Sequence, residues 1–156
     1  KITNPSQLAN LVRSVLPANF KTDPATRTFQ AIRMAVNDEL NELAKGLNIS
    51  EKTLKANGIL AVITFHSIED RLVKEFGKMK SGRISRGSRY GPHTEASEPT
   101  FLPINNRVRK PTQKEIDENA RARSGKLRVF RKTGVASSFK CKRLYYPKIE
   151  LGLNYD

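Results

Sequence analysis

ILAVITF, residues 59–65, is the stretch that most constrains the fold of this chain. It is continuously apolar but for one threonine, rich in β-branched side chains, and bounded by Gly58 and by the polar pair His66-Ser67. Such a run is too short for a core helix. It reads as a strand buried on both faces, hence a parallel-sheet strand covered by helices. The segments around it carry helical spacing. Phe29, Ile32, Val36, Leu40, Leu43 and Leu47 precede it at intervals of three and four and predict one core-facing stripe on a long helix. Ile68, Leu72, Val73 and Phe76 follow it in the same rhythm. Helix, strand, helix is the grammar of an α/β sheet.

Further out the signals are local. Asn4 before Pro5 predicts the capped start of a short amphipathic helix with Leu8, Leu11, Val12 and Val15 on one face. Residues 78–98, rich in Gly, Ser and Arg without apolar periodicity, read as a flexible basic loop. TFLPINNRV, broken by Pro103, and KLRVFRK read as edge strands, PTQKEIDENARAR as a polar helical or looped insert, and residues 134–156 as a tail.

If residues 59–65 end a parallel strand, His66 and Ser67 lie at its carboxyl edge, where open α/β sheets bind ligands. His66, Ser67, Glu69 and Asp70 are also the residue types of a nucleophile, its base and an orienting acid. The competing reading makes Ser67 the N-cap of a helix, with Asp70 three residues on as its capping-box acid. His66 is then either a hydrogen-bonded residue at the strand end or one that faces substrate. Thr26, Gln30, Arg33 and Asn37 form a second, polar stripe beside the apolar one, either an ordinary boundary face or the wall of a site. In RARSGKLR, Arg121, Arg123, Lys126 and Arg128 have a spacing suited to phosphate contacts, a pattern that basic edge strands share.

Charge narrows the function classes. Of the net +14, residues 1–77 contribute about +2 (10 Lys/Arg against 8 Asp/Glu) and residues 78–156 about +12 (19 against 7). A surface so biased suits a polyanion such as RNA, because each neutralised phosphate releases counterions. The nine glycines form neither GxGxxG nor a P-loop, so no nucleotide-cofactor site is expected here. One cysteine and two histidines supply neither a disulfide nor a zinc cluster, which fits a reducing compartment. No run approaches the roughly 18 apolar residues of a membrane helix, so a soluble protein with no membrane partner is expected. Because the chain starts at Lys1 rather than methionine, its amino-terminal end is expected to be processed, trimmed or missing.

PATRTFQAIRMAVNDELNEL, ILAVITFHSIEDRLVKEF and ENARARSGKLR, in this order, resemble the carboxyl-terminal half of the S-adenosylmethionine-dependent small-subunit rRNA cytosine-N4 methyltransferases, called RsmH or MraW in bacteria, with methyltransferase-like relatives in mitochondria. The resemblance implies an α/β fold: the carboxyl-terminal strands and helices of a Rossmann-like methyltransferase sheet, plus the end of a helical insert domain. Residues 1–22 would end the insert and 23–133 form the second half of the methyltransferase domain. Within it, 25–56 would be the last crossover helix, 59–65 the fifth strand, and 99–109 with 126–132 an antiparallel closing pair. It implies methyl transfer to the N4 amine of a cytidine, with small-subunit rRNA or the ribosomal subunit as partner. The S-adenosylmethionine loop would lie in the amino-terminal half, so no cofactor-binding residue is expected in this chain, and the chain alone is expected to be inactive. His66 and Ser67 would face substrate, and Thr26, Gln30, Arg33, Asn37, Asn119, Arg121, Arg123 and Lys126 would meet RNA. Ala120 stands where the family usually has proline and Gly125 where it often has alanine. The basic loop and the tail lack a counterpart in bacterial members, which favours the mitochondrial matrix over the bacterial cytoplasm. A non-catalytic RNA-binding or ribosome-associated protein is the alternative, and a hydrolase built on His66 and Ser67 a third.

Overall fold

The computed structural model describes residues 1–16, 23–82, 98–105 and 107–136. Most of the expected basic loop and all but the start of the tail lie outside them. The chain divides into two compact units after Leu40.

In the first unit, helix α1 (Pro5–Val15) starts as its sequence predicts: Asn4 Oδ1 accepts from Gln7 N at 2.9 Å, and Pro5 occupies the first turn, where its missing N–H costs nothing. Helix α2 (Pro24–Val36) repeats the device with Asp23, which accepts from Ala25 N and pairs with Arg13 at 2.5 Å, tying the two helices together. The long helix expected over residues 25–56 is not continuous. Asn37 ends α2, Asp38 turns the chain at φ 51°, and α3 (Glu39–Thr53) begins anew. The Glu39 carboxylate gathers the break, accepting from Arg33 Nε at 2.8 Å and Asn37 Nδ2 at 3.2 Å. The stripe is broken with it: Leu47 is buried, whereas Ile32 and Val36 are exposed.

The second unit is built on an antiparallel sheet of order β1-β3-β2, from β1 (Ile59–Thr64), β2 (Phe101–Pro103) and β3 (Lys126–Lys132). Ile59 faces Arg131, Thr64 faces Lys126, and Phe101 faces Lys132, so the closing pair forms as expected, with Pro103 on an edge. The parallel, doubly buried reading of β1 does not hold among the described residues. Its bonded neighbour is antiparallel, and only one face is covered, by α4 (Ser67–Lys80). Ile59 and Ile63, on the other face with Leu102, are 51% and 62% exposed. The apolar run therefore encodes more burial than these residues supply.

The core on the covered side is aromatic. Phe76 of α4, Phe101 of β2 and Phe130 of β3 meet with ring centroids 5.6, 6.2 and 6.5 Å apart in tilted and edge-on pairs, above the buried Leu72 and Val73. Gly77 lets α4 come this close: a Cβ there would overlap the Phe130 ring. Next to the aromatics lies a buried polar cluster. Glu51 of α3 accepts from Thr100 Oγ1 at 2.7 Å and pairs with Lys80 Nζ at 2.5 Å, all three nearly inaccessible. Burial alone would raise the Glu51 carboxyl. The bonds from Lys80 and Thr100 and the charges of Lys80 and Lys132 outweigh it and hold the group below its ordinary range. No helix among the described residues is long and apolar enough to cross a membrane.

Candidate functional site

At the carboxyl end of β1 the chain turns through Phe65 and His66 into α4, and a cavity of about 300 Å³ opens there. Its walls are Phe65, His66 and Ser67 on one side, Ser124, Gly125 and Lys126 on another, and the side chains of Lys110 and Arg123. Three segments distant in sequence are held together by backbone bonds. Lys126 is carried in by pairing of β3 with β1, and Lys110 by the bridge between Arg109 and Leu127, whose two N–H···O bonds are 3.0 and 2.8 Å. Arg123 sits in a 3-10 turn (Ala120–Ser124) that follows α5 (Gln113–Glu118), and Gly125 closes the turn with its N–H 2.7 Å from the Ala122 carbonyl. A Cβ on Gly125 would lie 2.9 Å from that carbonyl oxygen and 3.8 Å from the Phe65 ring, so alanine, expected of the family, would crowd this turn.

The expected capping is displaced by one residue. His66, not Ser67, is the N-cap: its Nδ1 accepts from Glu69 N at 3.3 Å, while Glu69 Oε2 accepts from Phe65 N and His66 N at 2.9 and 3.3 Å. A neutral imidazole presents the same acceptor as a serine hydroxyl, and Glu69 stands at the third helical position, so the box is complete one register earlier. Nδ1 is thus used by the cap, while Nε2 is buried 3.2 Å from Glu69 Oε1 without forming a hydrogen bond. No hydrogen bond joins His66 to Ser67 among the described residues, and a hydrolytic pair loses its base. Ser67 instead occupies the first helical position, exposed, with its hydroxyl on the cavity. His66→Ala should cost about 1 kcal/mol of stability through the lost cap. Thermal unfolding checks this, and His66→Asn, which keeps an acceptor, should recover most of the loss.

Asp70 is not the box acid either. It accepts from Arg128 Nε at 2.8 Å and Lys126 Nζ at 3.3 Å. Burial alone would raise its carboxyl, but the two cations outweigh burial and hold it below its ordinary range. Lys126 therefore reaches the cavity already paired with Asp70, whereas no carboxylate among the described residues pairs with Lys110 or Arg123. Of the other expected residues, Asn119 spends its side-chain oxygen on Arg121 N at 3.1 Å to start the 3-10 turn, and Arg121 is exposed outside the cavity wall. Thr26, Gln30, Arg33 and Asn37 lie on α2 and at its end, in the first unit, with Arg33 and Asn37 bonded to Glu39. Phe65 and Lys110 were missed by the sequence reading. Phe65 counted as the last strand residue, and Lys110 lay just past the expected closing strand 99–109 and was given no role.

Lysine and arginine around a small cavity suit a phosphodiester. They do not suit S-adenosylmethionine, whose sulfonium is itself a cation and which these groups would repel.

A mixed α/β chain with a cationic pocket at a strand-to-helix turn is the class that fold and site define. The chain belongs to the MraW methylase family, whose sequence profile matches residues 1–133. Among curated proteins it is similar to the ribosomal RNA small subunit methyltransferase H of Dinoroseobacter shibae, 48% identical over 134 residues, which are 85% of this chain and 40% of that protein. The protein of the same name from Paramagnetospirillum magneticum is 48% identical over 130 residues (81% and 41%), and that from Parvibaculum lavamentivorans 46% over 129 (81% and 38%). The chain thus spans about two-fifths of the length of the curated relatives it matches.

Proposed function

We propose that the protein to which this chain belongs transfers a methyl group from S-adenosylmethionine to the N4 amine of a cytidine in small-subunit rRNA, and that this chain supplies part of the grip on RNA. The observation that carries the reading is the cationic cavity at the carboxyl end of β1, in a chain of the MraW methylase family whose matched relatives are named as rRNA methyltransferases. Cytosine N4 is a poor nucleophile because its lone pair is delocalised into the ring, and in a stacked helix it is out of reach. The enzyme must therefore hold the strand while the base is turned out. Arg121, Arg123 and Lys126 do this holding through phosphates, with Asn119 shaping the turn that presents them. Residues 1–22 end a helical insert, 23–133 form the second half of a Rossmann-like domain, and the cofactor is bound by the part of the protein outside these residues. The bacterial origin of the relatives supports the cytoplasm rather than the mitochondrial matrix as its place of work.

The test is nucleoside mass spectrometry of small subunits incubated with the full-length protein and S-adenosylmethionine. N4-methylated cytidine is expected, and the double variant Arg121→Ala with Arg123→Ala should raise KM roughly tenfold while leaving kcat nearly unchanged. Tight, salt-dependent RNA binding without methylation would instead favour a non-catalytic RNA-binding protein. That second reading draws on the same cavity, which suits RNA and not the cofactor.

A further inference from the structure

Phe65 is 56% exposed, although the protein buries its other described aromatic rings at Phe76, Phe101 and Phe130 and leaves Phe29 half-buried. It follows the last strand residue and lines the cavity together with Lys110 and Arg123. Unlike Ile59 and Ile63, which lie on the open sheet face, Phe65 lines a cavity whose other side chains are cationic or polar. It offers a flat π-face within the reach of groups that bind phosphate, the pairing by which proteins hold unpaired nucleotides. Ser67 adds an exposed hydroxyl free of partners among the described residues, and the cavity is of the size that takes a small ligand.

We propose that this cavity is a subsite for one unpaired ribonucleotide: its base stacks on Phe65, and its phosphate is held by Lys110 and Arg123 with the Ser67 hydroxyl. Lys126 contributes less because Asp70 already holds it. The proposal rests on the reading of the protein as an RNA-binding methyltransferase and adds to it a preference for single strands, since a base inside a duplex has no free face to offer. Base and phosphate are recognised by separate groups, so their contributions separate in experiment.

The test uses the full-length protein and a single-stranded RNA oligonucleotide, with the same oligonucleotide annealed to its complement as the second ligand. Phe65→Leu keeps the apolar bulk and removes the π-face; it should weaken single-strand binding roughly tenfold, leave the salt dependence unchanged, and leave duplex binding as it was. Phe65→Trp should restore the affinity, which guards against a variant that merely fails to fold. Lys110→Ala with Arg123→Ala should instead flatten the dependence on salt by one to two released counterions. Wild-type affinity in Phe65→Leu, or equal losses for single strand and duplex, overturns the proposal. Methylation of small subunits, measured on the same preparations, keeps the two readings apart. Normal methylation with an indifferent Phe65 sinks only the subsite, and absent methylation with the Phe65 effect intact sinks only the enzymatic reading.

Discussion

Lys80→Met should destabilise the protein by about 3–5 kcal/mol, because it leaves the Glu51 carboxylate buried without the ammonium that neutralises it. Urea unfolding measures this, and a loss below about 1 kcal/mol would show that the pair is not buried in solution. The double variant Glu51→Gln with Lys80→Met should recover at least half, since the amide still accepts from Thr100 and no isolated anion remains. The pH dependence has a definite sign. Glu51 and Asp70 both have carboxyls held below their ordinary values of 4.5 and 3.8, so their stabilisation is complete above those values and is lost as pH falls through the depressed ones. In Lys80→Met the burial that favours the protonated acid wins, so Glu51 should stop contributing to this acid-induced loss.

Phe76→Ala should cost about 3–5 kcal/mol, as expected for an aromatic side chain removed from a filled core. It is fully buried and touches both other rings of the cluster, so the cavity left behind cannot collapse without moving β2 or β3. Phe76→Leu should cost less than half as much. Equal losses in the two variants would mean that shape within the cluster matters more than filled volume.

The contrast between these sites and the cavity shows what the sequence made legible. Asn4-Pro5 announced α1 because capping is decided by neighbours within one turn, and KLRVFRK announced β3 by its own alternation, but as an edge strand, whereas it lies in the middle, paired on both sides. The kink at Asp38 was not legible. Its positive φ interrupts a faultless three-and-four spacing, and periodicity records which residues prefer burial, not whether the backbone runs straight between them. The cap was misplaced by one residue because serine is the commoner capping type, yet Glu69 at the third helical position was there to point to His66. That exchange reversed the roles at the site, leaving the histidine structural and the serine on the cavity. Lys110 and Arg123 were not seen as neighbours, although the expected pairing of 99–109 with 126–132, of which the bridge from Arg109 to Leu127 is part, already set residue 109 beside β3. The aromatic cluster was equally hidden: Phe76 was seen as one member of a helical face, while its two partners sat in stretches read as edge strands.

The strand order carries a consequence for how the protein is made. β3, which follows β1 by more than sixty residues, lies between the other two strands, so β1 and β2 bond to it and not to each other. On a ribosome, β1 emerges long before β3, with Ile59 and Ile63 on a ladder that nothing in the preceding described segments closes. The pairing of β3 with β1 and β2 is complete only once Lys132 has cleared the exit tunnel, and pairing at that sequence distance is slow. Any shortened chain that stops before Lys126 would leave β1 and β2 without the strand that lies between them, and unpaired edges recruit other chains. Quality control of this protein should therefore act on nascent chains caught between β1 and β3.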